Sequence, residues 1–168
     1  MIKERLPADV IRAHKGKSFV GVSTAIAILN KRGELFMAKR SENTRDEHGT
    51  WDICGGGLKW GVNLQDNIVR EMSEEFAVKT NEPLHFLGVR EAFRVDQHNE
   101  DTHWVCIDYL VVVTDEESAN VRINESDNFT DSGWFSLEKL PTPRHSVLTD
   151  DYFLRLNSYF NKLVTATA

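Results

Sequence analysis

A chain of 168 residues has room for one globular domain, and its 40% hydrophobic and 27% charged residues exclude disordered, collagen-like and low-complexity classes. With 20 Lys+Arg against 26 Asp+Glu the formal charge is −6, which disfavours duplex nucleic acid or an anionic membrane as partner, because such polyanions reward clustered cations. Cys54 and Cys106 form no CxxC pair, so neither a disulfide framework nor a zinc site is indicated, and a charged N-terminus without an apolar run predicts a cytoplasmic protein. Phe19 to Leu29 alternates at period two and predicts a strand; Asn30 to Gly33 supplies a turn, and Glu34 to Lys39 completes a hairpin. A polar stretch then leads to the run Gly55-Gly56-Gly57, where a close backbone approach is expected. From Asn63, a plausible N-cap, Ile68, Val69, Met72 and Phe76 fall on one arc and predict a helix over about 63 to 76. Two strands follow, Leu84 to Phe93 and Trp104 to Val113, separated by a polar loop from Arg94 to Thr102. Trp134-Phe135 opens a short element after an acidic turn, and Tyr152, Phe153, Leu156, Tyr159, Phe160 and Leu163 mark a closing helix over about 147 to 164. Strands in runs, rather than in strict alternation with helices, predict an α/β sandwich on a mixed sheet.

The chemistry concentrates in Arg70-Glu71-Met72-Ser73-Glu74-Glu75. Glu71, Glu74 and Glu75 are spaced i, i+3, i+4 on one helix face, close to the helix C-terminus, where both mutual repulsion and the macrodipole oppose them. A compensating cation is needed, and a hard divalent ion that also holds substrate phosphate suits oxygen ligands. An acidic solvated face is the competing reading, but the preceding glycine run could bring a strand end, phosphate oxygens and carboxylates together.

These residues resemble the Nudix (MutT-like) hydrolase box, G-x5-E-x7-R-E-U-x-E-E-x-G-U, with Gly56, Arg70, Glu71, Met72, Glu74, Glu75 and Val78 matching as they stand. VGVSTAIAILNKRGELFMAKR, HGTWDICGGGLKWG and GWFSLEKLP on the flanks are also similar to the family. Val62 replaces the first Glu of the box, Ala77 its closing Gly and Cys54 the usual Pro, while Lys59 stands where many members carry an acid. Ala77 is expected to end the helix less readily than Gly. The resemblance implies a single Nudix-type α/β/α sandwich over residues 1–168, with an N-terminal extension of about 1–17. It implies hydrolysis of a nucleoside diphosphate linked to another group, with water attacking phosphorus. Glu71, Glu74 and Glu75 would ligate Mg²⁺ or Mn²⁺, and Arg70 would orient Glu71 or Glu75. Glu74 or Glu75 is the first choice of general base, with Glu125 and Asp127 as loop candidates.

Gly55, Gly56 and Arg90 are the expected substrate contacts; Arg90 and Arg94 flank Glu91 on a strand and could both meet substrate phosphates. Trp51, Trp60, Phe93 or Trp104 could stack on a base. Two further readings are a sugar-nucleotide hydrolase attacking carbon, with His98 or His103 as base, and a weakly active nucleotide-sensing module. The partner expected is a small nucleotide; a homodimer is left open.

Overall fold

The computed structural model describes residues 6–96 and 98–166, so residues 1–5 of the expected extension lie outside the described residues. The first helix, α1 (Ala8–His14), precedes the central strand β1 (Gly21–Leu29). Both faces of β1 are covered: Ile26 and Ile28 point one way, Ala27 and Leu29 the other, and all four are inaccessible or nearly so. Asn30 turns the chain by accepting from the backbone N–H groups of Arg32 (2.9 Å) and Glu34 (3.0 Å), and Gly33 takes a φ of +78°. β2 (Glu34–Arg40) follows, then β3 (Trp51–Asp52) and the glycine strand β4 (Cys54–Gly57). β5 (His85–Val95), β6 (Asp101–Val112) and β7 (Phe129–Ser136) complete a seven-stranded sheet.

Its main path runs β3-β2-β1-β6-β5, with β4 antiparallel to the first half of β1 and β7 antiparallel to β2. β1 and β6 are parallel over nine residue pairs, which makes the sheet mixed. The sandwich is closed by one helix on each face. α2 (Leu64–Phe76) buries Ile68, Met72 and Phe76 against Ile26, Ile28 and Val111. The C-terminal helix, α4 (Asp150–Ala166), buries Tyr152, Leu156 and Phe160 against Leu29, Leu35 and Leu110. The fold is the expected α/β/α sandwich.

Several boundaries differ from those expected. β5 and β6 both extend into the stretch read as a loop, because Asp96 closes it as a tight hairpin by accepting from the backbone N–H groups of His98 (2.8 Å) and Glu100 (3.1 Å). β7 begins at Phe129, ahead of Trp134, through its ladder with Lys39 and Arg40. The acidic stretch after β6 contains the short helix α3 (Asp115–Ser118), started by a capping box between Thr114 and Glu117. Asn63 is indeed the N-cap of α2, its side chain accepting from the Asp66 N–H. At the other end Ala77 does what glycine usually does: it sits at φ 55°, ψ 22° and returns its N–H to the Met72 carbonyl.

A left-handed alanine costs about 1–2 kcal/mol that glycine avoids, partly offset by the greater freedom of glycine in the unfolded chain. Ala77→Gly is therefore expected to stabilise the protein by about 0.5–1 kcal/mol, a rise in melting temperature of about 1–4 °C. A second expectation concerns the β5–β6 hairpin. Lys17, 2.7 Å from the Asp96 carboxylate, joins the two N–H donors in holding its pKa down from 3.8 to about 2. A depressed carboxylate stabilises the fold above its unfolded pKa and loses that contribution as pH falls through the folded value. Asp96→Asn should melt below wild type at neutral pH, and the gap should close as pH falls from about 4 to about 2.

Candidate active site

The glycine strand explains the close approach read from the sequence. A Cβ on Gly55 would lie 2.5 Å from the Thr24 carbonyl oxygen, and one on Gly56 would overlap the Glu71 carboxylate. With no side chains between them, α2 rests its acidic face directly on β4. Gly55 N–H donates to Glu75 Oε2 at 2.9 Å. Asn67, wholly buried, ties the same helix to β1 through Thr24 Oγ1 (2.9 Å) and accepts from Arg70 (3.0 Å).

The three carboxylates of the box have different surroundings. Glu71 is buried, and the Glu75 carboxyl group is closely surrounded by protein, whereas Glu74 is exposed at the rim. At about 100° per residue, Glu74 and Glu75 diverge from Glu71 to opposite sides, and only Glu75 turns onto the strand. Arg70 forks between Glu71 and Glu74, so it orients that pair and leaves Glu75 to Gly55. Burial pushes the Glu75 pKa well above the ordinary carboxylate range, with Glu71 adding to the rise and the Gly55 N–H opposing it. Burial likewise raises Glu71, against the pull of Arg70. Burial and the nearby Glu75 push the Cys54 thiol up, so the residue replacing the family proline is a protonated, inert neighbour. Among the described residues no three acidic, His or Cys side chains already converge as a metal cage. The donor set nonetheless fits a hard divalent cation: the Glu75 and Glu71 carboxylates lie on the adjacent Gly55 and Gly56, and Arg70 is engaged by Glu71 and Glu74.

Beside β4 an open cleft runs toward β5, β6 and the segment before α4. Arg90, an expected substrate contact, lines it, but its guanidinium is held by Asp108 through Nε (2.6 Å) and Nη2 (2.8 Å) and also donates to the Val147 carbonyl. Arg94 pairs with Asp46 (3.1 Å) and lies 2.8 Å from His145 Nε2. Arg40 pairs with Asp46 (3.1 Å) and Asp52 (3.0 Å). His145 is 4% exposed, and burial lowers its pKa against the pull of Asp52 and Glu47. Arg40, Arg45, Asp46, Asp52 and His145 were not singled out from the sequence. They come from separate loops and strand ends and carry no shared spacing.

The other candidates divide cleanly. Trp104 lines the cleft, whereas Trp51 packs on Phe135 at 5.1 Å and Trp60 is 62% exposed in the loop before α2. Phe93 and His103 stack on each other at 4.3 Å, at positions neighbouring the cleft-lining Arg94 and Trp104 and so on the other face of the sheet. His98 lies in the 96–100 turn and does not line the cleft. Glu125 sits at the C-terminus of α2, where its N–H approaches the Glu75 carbonyl at 3.4 Å and its carboxylate accepts from Asn128 at 2.7 Å. Asn124 also caps that helix end, donating to the Glu74 carbonyl at 2.9 Å. Asp127 contributes its backbone carbonyl, not its carboxylate, to Ser41 and Asn43.

An acidic helix laid on a glycine strand beside an arginine-lined cleft, in an α/β/α sandwich, defines a hydrolase of phosphoric anhydrides, and the chain belongs to the Nudix family: the NUDIX domain model matches residues 20–156. Over 121 residues the chain is 27% identical to nucleoside triphosphatase NudI of Enterobacter sp. (strain 638), spanning 68% of this chain and 82% of that protein. The crystal structure of a MutT NUDIX hydrolase from Burkholderia pseudomallei superposes with a TM-score of 0.66 at 27% identity, covering 83% of this chain and 97% of that one. The MutT protein of Methanosarcina mazei Go1, 24% identical, shares the fold with a TM-score of 0.60 over 83% and 94% of the two chains.

The two glycines facing α2 should respond differently to a methyl group. Gly55→Ala drives its Cβ into backbone and should cost about 1–3 kcal/mol. Gly56→Ala meets the movable end of Glu71 and should lose less stability while displacing that carboxylate. Thermal melts of both variants decide, and a larger loss for Gly56→Ala would contradict this packing.

Proposed function

We infer that the chain hydrolyses nucleoside diphosphates linked to another group, with Mg²⁺ or Mn²⁺ and with water attacking phosphorus. The observation that carries the reading is the placement of two carboxylates, Glu75 on Gly55 and Glu71 on the adjacent Gly56, next to a cleft rich in arginine. Glu71 and Glu75 would hold the metal from the buried side and Glu74 from the rim. The bound cation would neutralise diphosphate charge and lower the pKa of water. Arg70 fixes the direction of Glu71 and Glu74 by charge-assisted bonds. The half-buried glycines of β4, which carry no side chains, leave room for phosphate oxygens close to these groups.

Glu75 and Glu74 remain the first choice of general base, because the Glu125 carboxylate is turned to Asn128. Attack at carbon by the sugar-nucleotide route has less support, since neither His98 nor His103 lines the cleft. Two of the box departures leave the local chain path intact: Val62 lies in the turn closed by its N–H to the Lys59 carbonyl (3.2 Å), and Ala77 ends the helix in the left-handed conformation, at a cost in stability. These placements favour an active enzyme over a sensing module.

Titration calorimetry with Mn²⁺ should show weaker binding for Glu71→Gln and Glu75→Gln than for wild type; equal affinities would move the metal elsewhere. Substitution of the true base should slow the chemical step by about 10²- to 10⁴-fold even when metal is saturating. Turnover in H₂¹⁸O should place the label in a phosphate-containing product, and label in a sugar hydroxyl would refute attack at phosphorus.

A further inference from the structure

Among the described residues, two cations beside the cleft-lining Trp104 have no close carboxylate of their own. Arg40, Arg90 and Arg94 are matched by Asp46, Asp52 and Asp108. Arg45 makes only a long contact from Nε to Asp46 (3.4 Å) among the described residues, and that aspartate already serves Arg40 and Arg94. The Arg45 guanidinium lies 4.7 Å from the centre of the Trp104 ring, at the cleft wall. Lys15 is the second. Its ammonium stands 5.8 Å from the same ring, donates to the Leu58 carbonyl, and would be 3.2 Å from a Cβ on Gly57.

The placement of Lys15 is built rather than incidental. Gly16, at φ +82°, returns its N–H to the Phe19 carbonyl (2.8 Å) and accepts from the His103 N–H (2.7 Å), which stitches the segment after α1 to β6. A Cβ on Gly16 or on Gly21 would collide with the Trp104 indole, so both glycines let this segment lie flat on the ring. Lys15 falls outside the span 20–156 that the family model matches.

Along β4 the charge therefore changes sign. Glu75 meets Gly55, Glu71 meets Gly56, and Lys15 meets Gly57, all within about 7 Å of extended strand. We propose that Lys15 and Arg45, set on Trp104, grip the terminal phosphate of the substrate at the Gly57 end of the strand, and that they favour nucleotides whose phosphate chain ends in a free phosphate over internal diphosphate diesters. This rests on the phosphoric-anhydride reading of the site and adds to it a substrate class. The charges support it: a diester carries about two negative charges, which one divalent cation neutralises, whereas a nucleoside triphosphate carries about four and leaves two for Lys15 and Arg45.

The test has a binding arm and a kinetic arm, both on the full chain. Calorimetry with inorganic tripolyphosphate in EDTA should show binding by wild type, a loss of about tenfold or more for Lys15→Met and for Arg45→Met, and affinity within about threefold of wild type for Lys15→Arg. No binding by wild type, or equal affinity in the Met variants, overturns the clamp. With Mg²⁺, Lys15→Met should raise KM for nucleoside triphosphates by about tenfold and for a dinucleoside or sugar diphosphate diester by less than about threefold, with Lys15→Arg restoring the former. Equal effects on both substrates overturn the preference for a free terminal phosphate. If wild type turns over neither class, the hydrolase reading fails, and the tripolyphosphate titration judges the clamp by itself.

Discussion

The contact between the glycine strand and the acidic helix is the constraint around which the rest of the molecule is arranged. α2 can lie on β4 only because Gly55 and Gly56 present no side chains, and Asn67 fixes the helix against β1 so that the approach is maintained. The arrangement is locally unfavourable. Acidic residues in the last turns of a helix oppose its dipole by about 0.3–1 kcal/mol each, and burial and Glu71 both disfavour the charged form of Glu75. The opposite face of the same helix supplies the compensation. Ile68, Met72 and Phe76 are fully buried or nearly so, and each such side chain contributes about 1.5–3 kcal/mol. Stability and function thus occupy different arcs of one helix.

Across the cleft the logic is reversed. Buried ion pairs such as Arg90–Asp108 add little net stability, because desolvation of the charges nearly cancels their attraction. What they supply is direction. Arg90 is further seated with its guanidinium 4.7 Å from the Tyr152 ring centre, which connects the cleft wall to the core beneath α4. Glu47 performs a similar service on the other side, accepting from the backbone N–H and hydroxyl of Ser146 and so tying the loop between β2 and β3 to the segment before α4.

The acidic box was readable because its members are near neighbours on one helix, where spacing alone determines which residues share a face. Spacing does not reveal partners, which is why the outward turn of Glu74 toward Arg70 was hidden. The hairpin, the mixed sheet and both long helices were legible from periodicity. β4 was not, since glycine has no side chain to alternate. The short helix α3 carried its own signal in Thr114 and Glu117, three residues apart. The cleft left a partial trace, in Arg90, Arg94 and Trp104. Arg45, Asp52 and His145 join them only through the tertiary fold, and each taken alone reads as an ordinary surface charge.

The parallel pairing of β1 with β6 joins residues 83 positions apart, from Gly21 with Trp104 to Leu29 with Val112. It sets the order of events during synthesis. At roughly 5–20 residues per second the ribosome needs about 4–17 s to deliver β6 after β1. Over that interval the central strand, apolar on both faces, has one long edge without its partner, and β2 touches it in the ladder only at Leu29 with Leu35. Loop-closure entropy must be overcome before that pairing returns any energy, so folding is slow where the sheet is most hydrophobic. The nascent chain is therefore most exposed to aggregation before its second half emerges, and the cleft, which needs both Trp104 and His145, is among the last parts of the protein to form.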